Sequence, residues 1–188
     1  MKEPFLEPIL RSMRVKKVLP MIHRYPDCQF LDIGCGWDYR LLKTIEPFIG
    51  SGVGIDFKVR EMESTKIKTL RMRMTGSLPF EAESFDIVTM LAVLEHLSDP
   101  LRMMSETERV LKKGGRLVLT VPSKIAKPVL EFMAFYLKIV NADEIRDHKK
   151  YYDCKDIKSL LDRTGLILEE HRYFQMGMNN HCVAMKIL

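Results

Sequence analysis

The 188-residue sequence predicts an α/β fold: a doubly wound, seven-stranded, mostly parallel sheet with an antiparallel C-terminal hairpin strand. Three observations carry that expectation. Short apolar runs of strand length alternate with helical patterns through residues 28–121, an order that gives parallel strands covered by helices on both faces. The first such run passes directly into Gly34-Cys35-Gly36. Beyond Gly165 two strand patterns follow each other with no helix between them, joined by a hairpin-length segment at 175–179.

Each element has its own signal. Residues 8–22 set Ile9, Met13 and Val18 among basic positions at helical spacing, predicting an amphipathic leading helix. Residues 28–33 form the first strand, and a helix is expected over 37–48, ending near Pro47 and Gly50. The second strand is 52–56, followed by a short helical piece and a third strand over 67–73; Gly76 and Pro79 mark a loop. The fourth strand is 85–90. Asp99 caps a helix with Pro100 at its first position and Gly114 past its end. In it Leu101, Met104 and Leu111 share a face, and Glu108 pairs with Lys112. Residues 116–121 are the fifth strand. Asp153 caps a helix over 154–164, and the closing strands are 166–174 and 180–187.

The length suits one domain, 1–188, and neither repeats nor low-complexity linkers divide it. Apolar residues at 46% and charged residues at 29% describe an ordinary globular chain. No N-terminal segment has the form of a secretory signal, and no apolar run reaches the roughly 20 residues of a membrane span. The cysteines Cys28, Cys35, Cys154 and Cys182 are scattered without a CxxC pair, which argues against zinc or a disulfide framework and suits the cytoplasm. A net charge of +5 spreads over the whole chain, so it reads as a solvated basic surface and does not settle the partner; the lack of an aromatic-basic stripe or an added recognition domain argues against nucleic acid. Peripheral contact with a membrane stays open.

The chemistry gathers at the strand ends. Asp32-x-Gly34-x-Gly36 closes the first strand and opens a helix, where glycines let the backbone approach a ligand and helix N–H groups face it. Asp56 ends the second strand, where a carboxylate can accept both hydrogens of a ribose diol. Together they point to an adenosine-containing ligand. A dehydrogenase would want G-x-G-x-x-G, and Tyr39 occupies its last position.

At this point the chain resembles the class I methyltransferases that use S-adenosylmethionine (SAM), a Rossmann-like family, and among them the small type 11-like domains. The resemblance runs through FLDIGCG (30–36), VGIDF (53–57), SLPFEAESFDIV (77–88), LEHLSDP (94–100) and RVLKKGGRLVLTVPS (109–123). It implies that Gly34, Cys35 and Gly36 hold the methionine part of SAM with Asp32 near its ammonium. Asp56 would bind the ribose and Phe57 flank the adenine, with Ser77, Leu78 and Leu91 lining the rest. The leading segment 1–24 is expected to cover this cleft. The family's third glycine is Asp38 here, and Thr75, Gly76 and Ser77 replace the adenine-side aspartate.

The implied reaction is direct displacement of the methyl group onto a small-molecule or lipid- or glycan-linked acceptor, leaving S-adenosylhomocysteine. Its alternatives are a non-catalytic SAM-binding scaffold and an RNA methyltransferase. A base is needed only where the nucleophile must lose a proton, and the candidates are His96, His148 and Tyr151, with Tyr152 beside it. Glu95 and His96 are potential metal donors, but Ala92 adds no carboxylate, and two ligands are too few, so no metal is expected. Residues 128–140 are apolar all round, which predicts a buried core helix. The second reading is a lid for an apolar acceptor, with Lys124, Lys127 and Lys138 facing phosphates. Oligomeric state is not encoded in any pattern found.

Overall fold

The computed structural model describes residues 6–137 and 139–187. Its described residues form one eight-stranded sheet: β1 (Gln29–Ile33), β2 (Ser51–Asp56), β3 (Met62–Glu63), β4 (Ile67–Arg71), β5 (Phe85–Leu91), β6 (Leu111–Pro122), β7 (Leu166–Phe174) and β8 (Asn179–Lys186). The spatial order is β3-β4-β2-β1-β5-β6-β8-β7. β8 runs antiparallel to β6 and β7, as the helix-free ending predicts. The eighth strand is β3, a two-residue edge piece antiparallel to β4.

Six helices accompany the sheet: α1 (Glu7–Arg24), α2 (Arg40–Ile45), α3 (Pro100–Val110), α4 (Ala126–Phe135), α5 (Ala142–Arg146) and α6 (Cys154–Leu161). Alternation along each strand divides the core in two, since successive side chains point to opposite faces. Phe30, Ile87 and Val118 join Val15, Val18 and Ile22 of α1 and Leu41, Leu42 and Ile45 of α2. Leu31, Ile33, Val88, Met90, Leu117 and Leu119 face the other way, onto Met103 and Met104 of α3 and Ile157, Leu160 and Leu161 of α6. Each such side chain contributes roughly 1.5–3 kcal/mol by leaving water. The doubly wound reading therefore holds residue by residue.

Several local expectations change. The helix expected over 37–48 starts later, because Gly36 and Tyr39 have φ of 72° and 38° and keep 37–39 in a turn; its end is a 3-10 segment, Glu46–Phe48. No helix joins β2 to β4. Thr69 Oγ1 accepts from Met62 N at 3.1 Å and donates to Arg60 O at 2.7 Å, folding that segment back as an edge hairpin. α3 stops at Val110 and β6 begins at the next residue. Lys112 accordingly bonds Asp86 at 2.9 Å, while Glu108 pairs with Lys186 at 3.3 Å. The buried face of α3 is Met103, Met104, Thr107 and Val110, with Leu101 only half-buried.

The largest change is α4. Ala126 and Ala134 are its buried residues, while Val129, Phe132 and Phe135 are exposed, as are Tyr136 and Leu137 just beyond it. The core-helix reading is overturned, because α4 buries only its two alanines, leaves Leu130 and Met133 half-buried and turns Val129, Phe132 and Phe135 outward. Lys124 is held by Asp153 at 2.7 Å and Asp156 at 2.6 Å, and so belongs to the cap of α6 rather than to a phosphate site. Lys138 lies outside the described residues.

Candidate active site

The strand order reverses at β1, which has β2 on one side and β5 on the other, and ligands of such sheets bind beyond the carboxyl ends at that point. The loop 34–36 sits there. Gly34 N and Cys35 N donate to Ile55 O at 2.8 and 3.1 Å, tying the loop to β2. Gly34 has φ of 79°, and a Cβ there would overlap Val93 Cγ2, so the position demands glycine twice over. At Gly36, with φ of 72°, a Cβ would meet nothing nearer than Asp38 Oδ1 at 3.9 Å. The glycine leaves open the space a ligand would occupy.

Two carboxylates face this loop. Asp56 Oδ2 accepts from Gly36 N at 3.0 Å and Oδ1 from Lys58 N at 2.7 Å. A carboxylate has about four lone-pair positions, so Asp56 keeps capacity for hydroxyl donors. Asp32 is buried and accepts from the Thr89 hydroxyl at 2.7 Å. Burial pushes its carboxyl up to about 7; the Thr89 bond opposes this and the nearby Asp56 charge adds to it. A cationic ligand would offset both the desolvation and the repulsion. These acceptors thus fit a ligand with a ribose diol and an ammonium. Thr89 escaped the motif reading, although it is the one hydroxyl in the apolar run of β5 and stands in register with Asp32.

The remaining cofactor candidates spread around this core. The Cys35 thiol turns inward, where a Cβ on Gly54 would come within 2.9 Å of its Sγ, so only its backbone belongs to the loop. Asp38 is met by Arg11 of α1 at 3.8 Å, which gives the residue that replaces the third glycine a charge partner. Phe57 is 44% exposed, with Lys58 Nζ 4.9 Å from its ring centre. Ser77 is exposed. Leu78 is buried, its N–H donating to Glu106 at 2.7 Å and its carbonyl accepting from Arg109 at 3.0 Å, so it anchors the loop to α3. Leu91 is half-buried at the end of β5 against the α1–α2 core.

A second cluster assembles the three base candidates. β5 ends in a turn with Ala92 at φ of 59°, leading to the 3-10 segment Leu94–His96. Lys149 N donates to Glu95 O at 2.8 Å, and Tyr152 N donates to Pro122 O at 3.1 Å, so the segment between them is pinned at both ends. Asn180 is fully buried and strengthens the second pin, donating to Tyr152 O at 2.9 Å and Val121 O at 3.1 Å. His96 and His148 consequently pack edge to face with ring centres 4.9 Å apart. His96 Nδ1 lies 2.9 Å from Asp147 Oδ2, and His148 Nδ1 lies 3.1 Å from Tyr151 Oη. Burial lowers His148 to about 4, so its ring is neutral near pH 7, and burial raises the Tyr151 phenol to about 12, so it keeps its proton. A cleft of about 470 Å³ beside them is lined by Lys127, Glu131, Phe135, Arg146, His148 and Tyr151, among others.

Comparison with known proteins bears on this geometry. Residues 31–119 match the family described as "Methyltransferase domain". Demethylmenaquinone methyltransferase of Staphylococcus aureus (strain JH9) is 38% identical over 121 residues, 58% of this chain and 50% of the relative. The chain spans about half the length of the curated relatives it matches. Among solved structures, a chain of the complex between the Haloferax volcanii Trm112 methyltransferase activator and a methyltransferase superposes with a TM-score of 0.72 at 15% identity, covering 100% of both chains. A SAM-dependent methyltransferase from Methanosarcina mazei gives 0.65 at 22% identity over 90% of this chain and 98% of that one. These structural likenesses establish the fold.

Proposed function

We propose that the chain, whose residues 31–119 match the methyltransferase domain, is a class I SAM-dependent methyltransferase that moves a methyl group from SAM to a small-molecule or lipid-linked acceptor, leaving S-adenosylhomocysteine. One observation carries this reading: the Gly36 N–H rests on the Asp56 carboxylate beside the buried Asp32, so the glycine turn and both acids form a single cradle. In it the loop 34–36 would hold the methionine part, Asp32 the ammonium, Asp56 the ribose and Phe57 one face of the adenine. Ser77 and Leu91 flank it, and Leu78 fixes the neighbouring loop from below. α1 closes one side, with Arg11 on Asp38.

Bound SAM supplies an electrophilic methyl carbon on a sulfonium, and alignment of the nucleophile can supply several kcal/mol of the barrier. The chain's own part is to position the acceptor and handle its proton. His96 donates its Nδ1–H to Asp147, which leaves the Nε2 lone pair as proton acceptor. Tyr151, held protonated, donates to an acceptor oxygen. The relative's name and the outward apolar residues of α4 both support an acceptor with a small head and an apolar portion. No helix among the described residues is long and apolar enough to cross a membrane. A cytoplasmic setting is proposed on the free cysteines.

Incubation with methyl-labelled SAM and a panel of phenolic, quinol and prenylated acceptors tests the proposal. Label should pass to at least one oxygen- or carbon-nucleophile acceptor. Tight S-adenosylhomocysteine binding without turnover across the panel would instead support the non-catalytic scaffold.

A further inference from the structure

We propose that Glu95, His96 and His148 form a binding site for one divalent transition-metal ion at the base-candidate cluster. One ligand atom from each residue lies within 4.8 Å of the others. His148 Nε2 is 4.0 Å from Glu95 Oε1, and the two side chains are 6% and 1% exposed. The sequence supplies only the adjacent pair Glu95 and His96. The third donor arrives from a segment 52 positions beyond His96 (148 − 96), held there by the Lys149–Glu95 backbone bond.

The surroundings of both rings strengthen the assignment. A metal-bound histidine ordinarily directs its other ring nitrogen to a carboxylate or similar acceptor, which fixes the ring and aims the ligating nitrogen. Here the Nδ1 atoms are engaged by Asp147 and by Tyr151, at 2.9 and 3.1 Å, so each ring can offer Nε2; at His96 the ion takes the lone pair that the metal-free ring would use as a base. Two imidazoles and one carboxylate make a borderline donor set suited to zinc, cobalt or ferrous iron, with coordination positions left for water or an acceptor oxygen. Metal–ligand bonds of about 2.0–2.2 Å require the three side chains to draw together. His96 and Asp147 stand on the exposed rim, at 27% and 64%, where such a movement costs little.

The site does not depend on the methyl-transfer reading and is tested without SAM. Co²⁺ is titrated into the chelator-treated full chain, with heat and visible absorption as readouts. One equivalent should bind and develop the bands of a nitrogen–oxygen cobalt site. His148→Ala and His96→Ala should each weaken binding by more than about 100-fold, and Asp147→Asn by ~10–100-fold. S-adenosylhomocysteine affinity in His96→Ala should stay within about twofold of the parent, which separates loss of the metal from loss of the cradle. Because His148 is buried, the rim variants at His96 and Asp147 carry the test should His148→Ala fail to fold. No uptake by the parent chain, or equal uptake with an unchanged spectrum in His96→Ala, overturns the proposal.

Discussion

The two regions proposed as the cofactor end and the acceptor end are built differently. At the cofactor end, Asp32 and the loop 34–36 lie within five residues of one another, and the loop is tied to the adjacent strand β2 by Gly34 N and Cys35 N on Ile55 O. At the acceptor end, His96 meets Asp147 and His148 only because Lys149, Tyr152 and Asn180 pin a distant segment across the sheet. The first is a local device set by backbone conformation. The second is a tertiary assembly, and its residues mean little until the fold brings them together. Mutations should therefore separate the two ends cleanly.

Gly34→Ala should have the largest effect. A left-handed alanine costs roughly 1–2 kcal/mol and the overlap with Val93 roughly 1–3 more, so calorimetry should show a loss of about 2–5 kcal/mol in stability with cofactor binding abolished. Asn180→Ala removes two bonds from buried carbonyls, at about 1–3 kcal/mol for groups left unsatisfied. It should cut turnover sharply while S-adenosylhomocysteine affinity stays within about twofold; an equal loss at both ends would erase the distinction. Asp56→Ala should do the reverse, weakening the cofactor by about 1.5–3 kcal/mol while turnover at saturating SAM persists, with some fall in melting temperature because Gly36 N and Lys58 N lose their acceptor.

A pH effect sharpens the cofactor end. Asp32 in the folded chain is raised to about 7 by burial, above its unfolded value, so the native state binds this proton more tightly. Its contribution to stability is full below about pH 4 and is lost as pH rises toward 7, by up to about 1.4 kcal/mol per unit. Melting of the cofactor-free protein should fall between pH 5 and 8, and Asp32→Asn should flatten that slope. Arg11→Ala should be smallest, near 0.5 kcal/mol or less, as expected for a loose ion pair.

What could be read from the sequence follows the same division. The glycine turn, Asp56, the Asp99 and Asp153 caps and the closing hairpin are local or periodic signals, and each stands where expected. Thr89 was hidden because a single hydroxyl in an apolar strand says nothing until register sets it opposite Asp32. The edge hairpin after β2 was missed because Thr69 organises it from the next strand. α4 misled for a different reason: apolar residues all round give no face, and only packing shows that Ala126 and Ala134 point inward. The pairing of Lys112 with Asp86 was likewise invisible to helical spacing, since the helix ends before it.

The most direct measurement is isothermal titration of S-adenosylhomocysteine into the full chain at neutral pH. One binding site is expected, with an affinity that falls roughly 10- to 150-fold in Asp56→Ala. No heat with the parent protein, or an affinity untouched by that substitution, would contradict it.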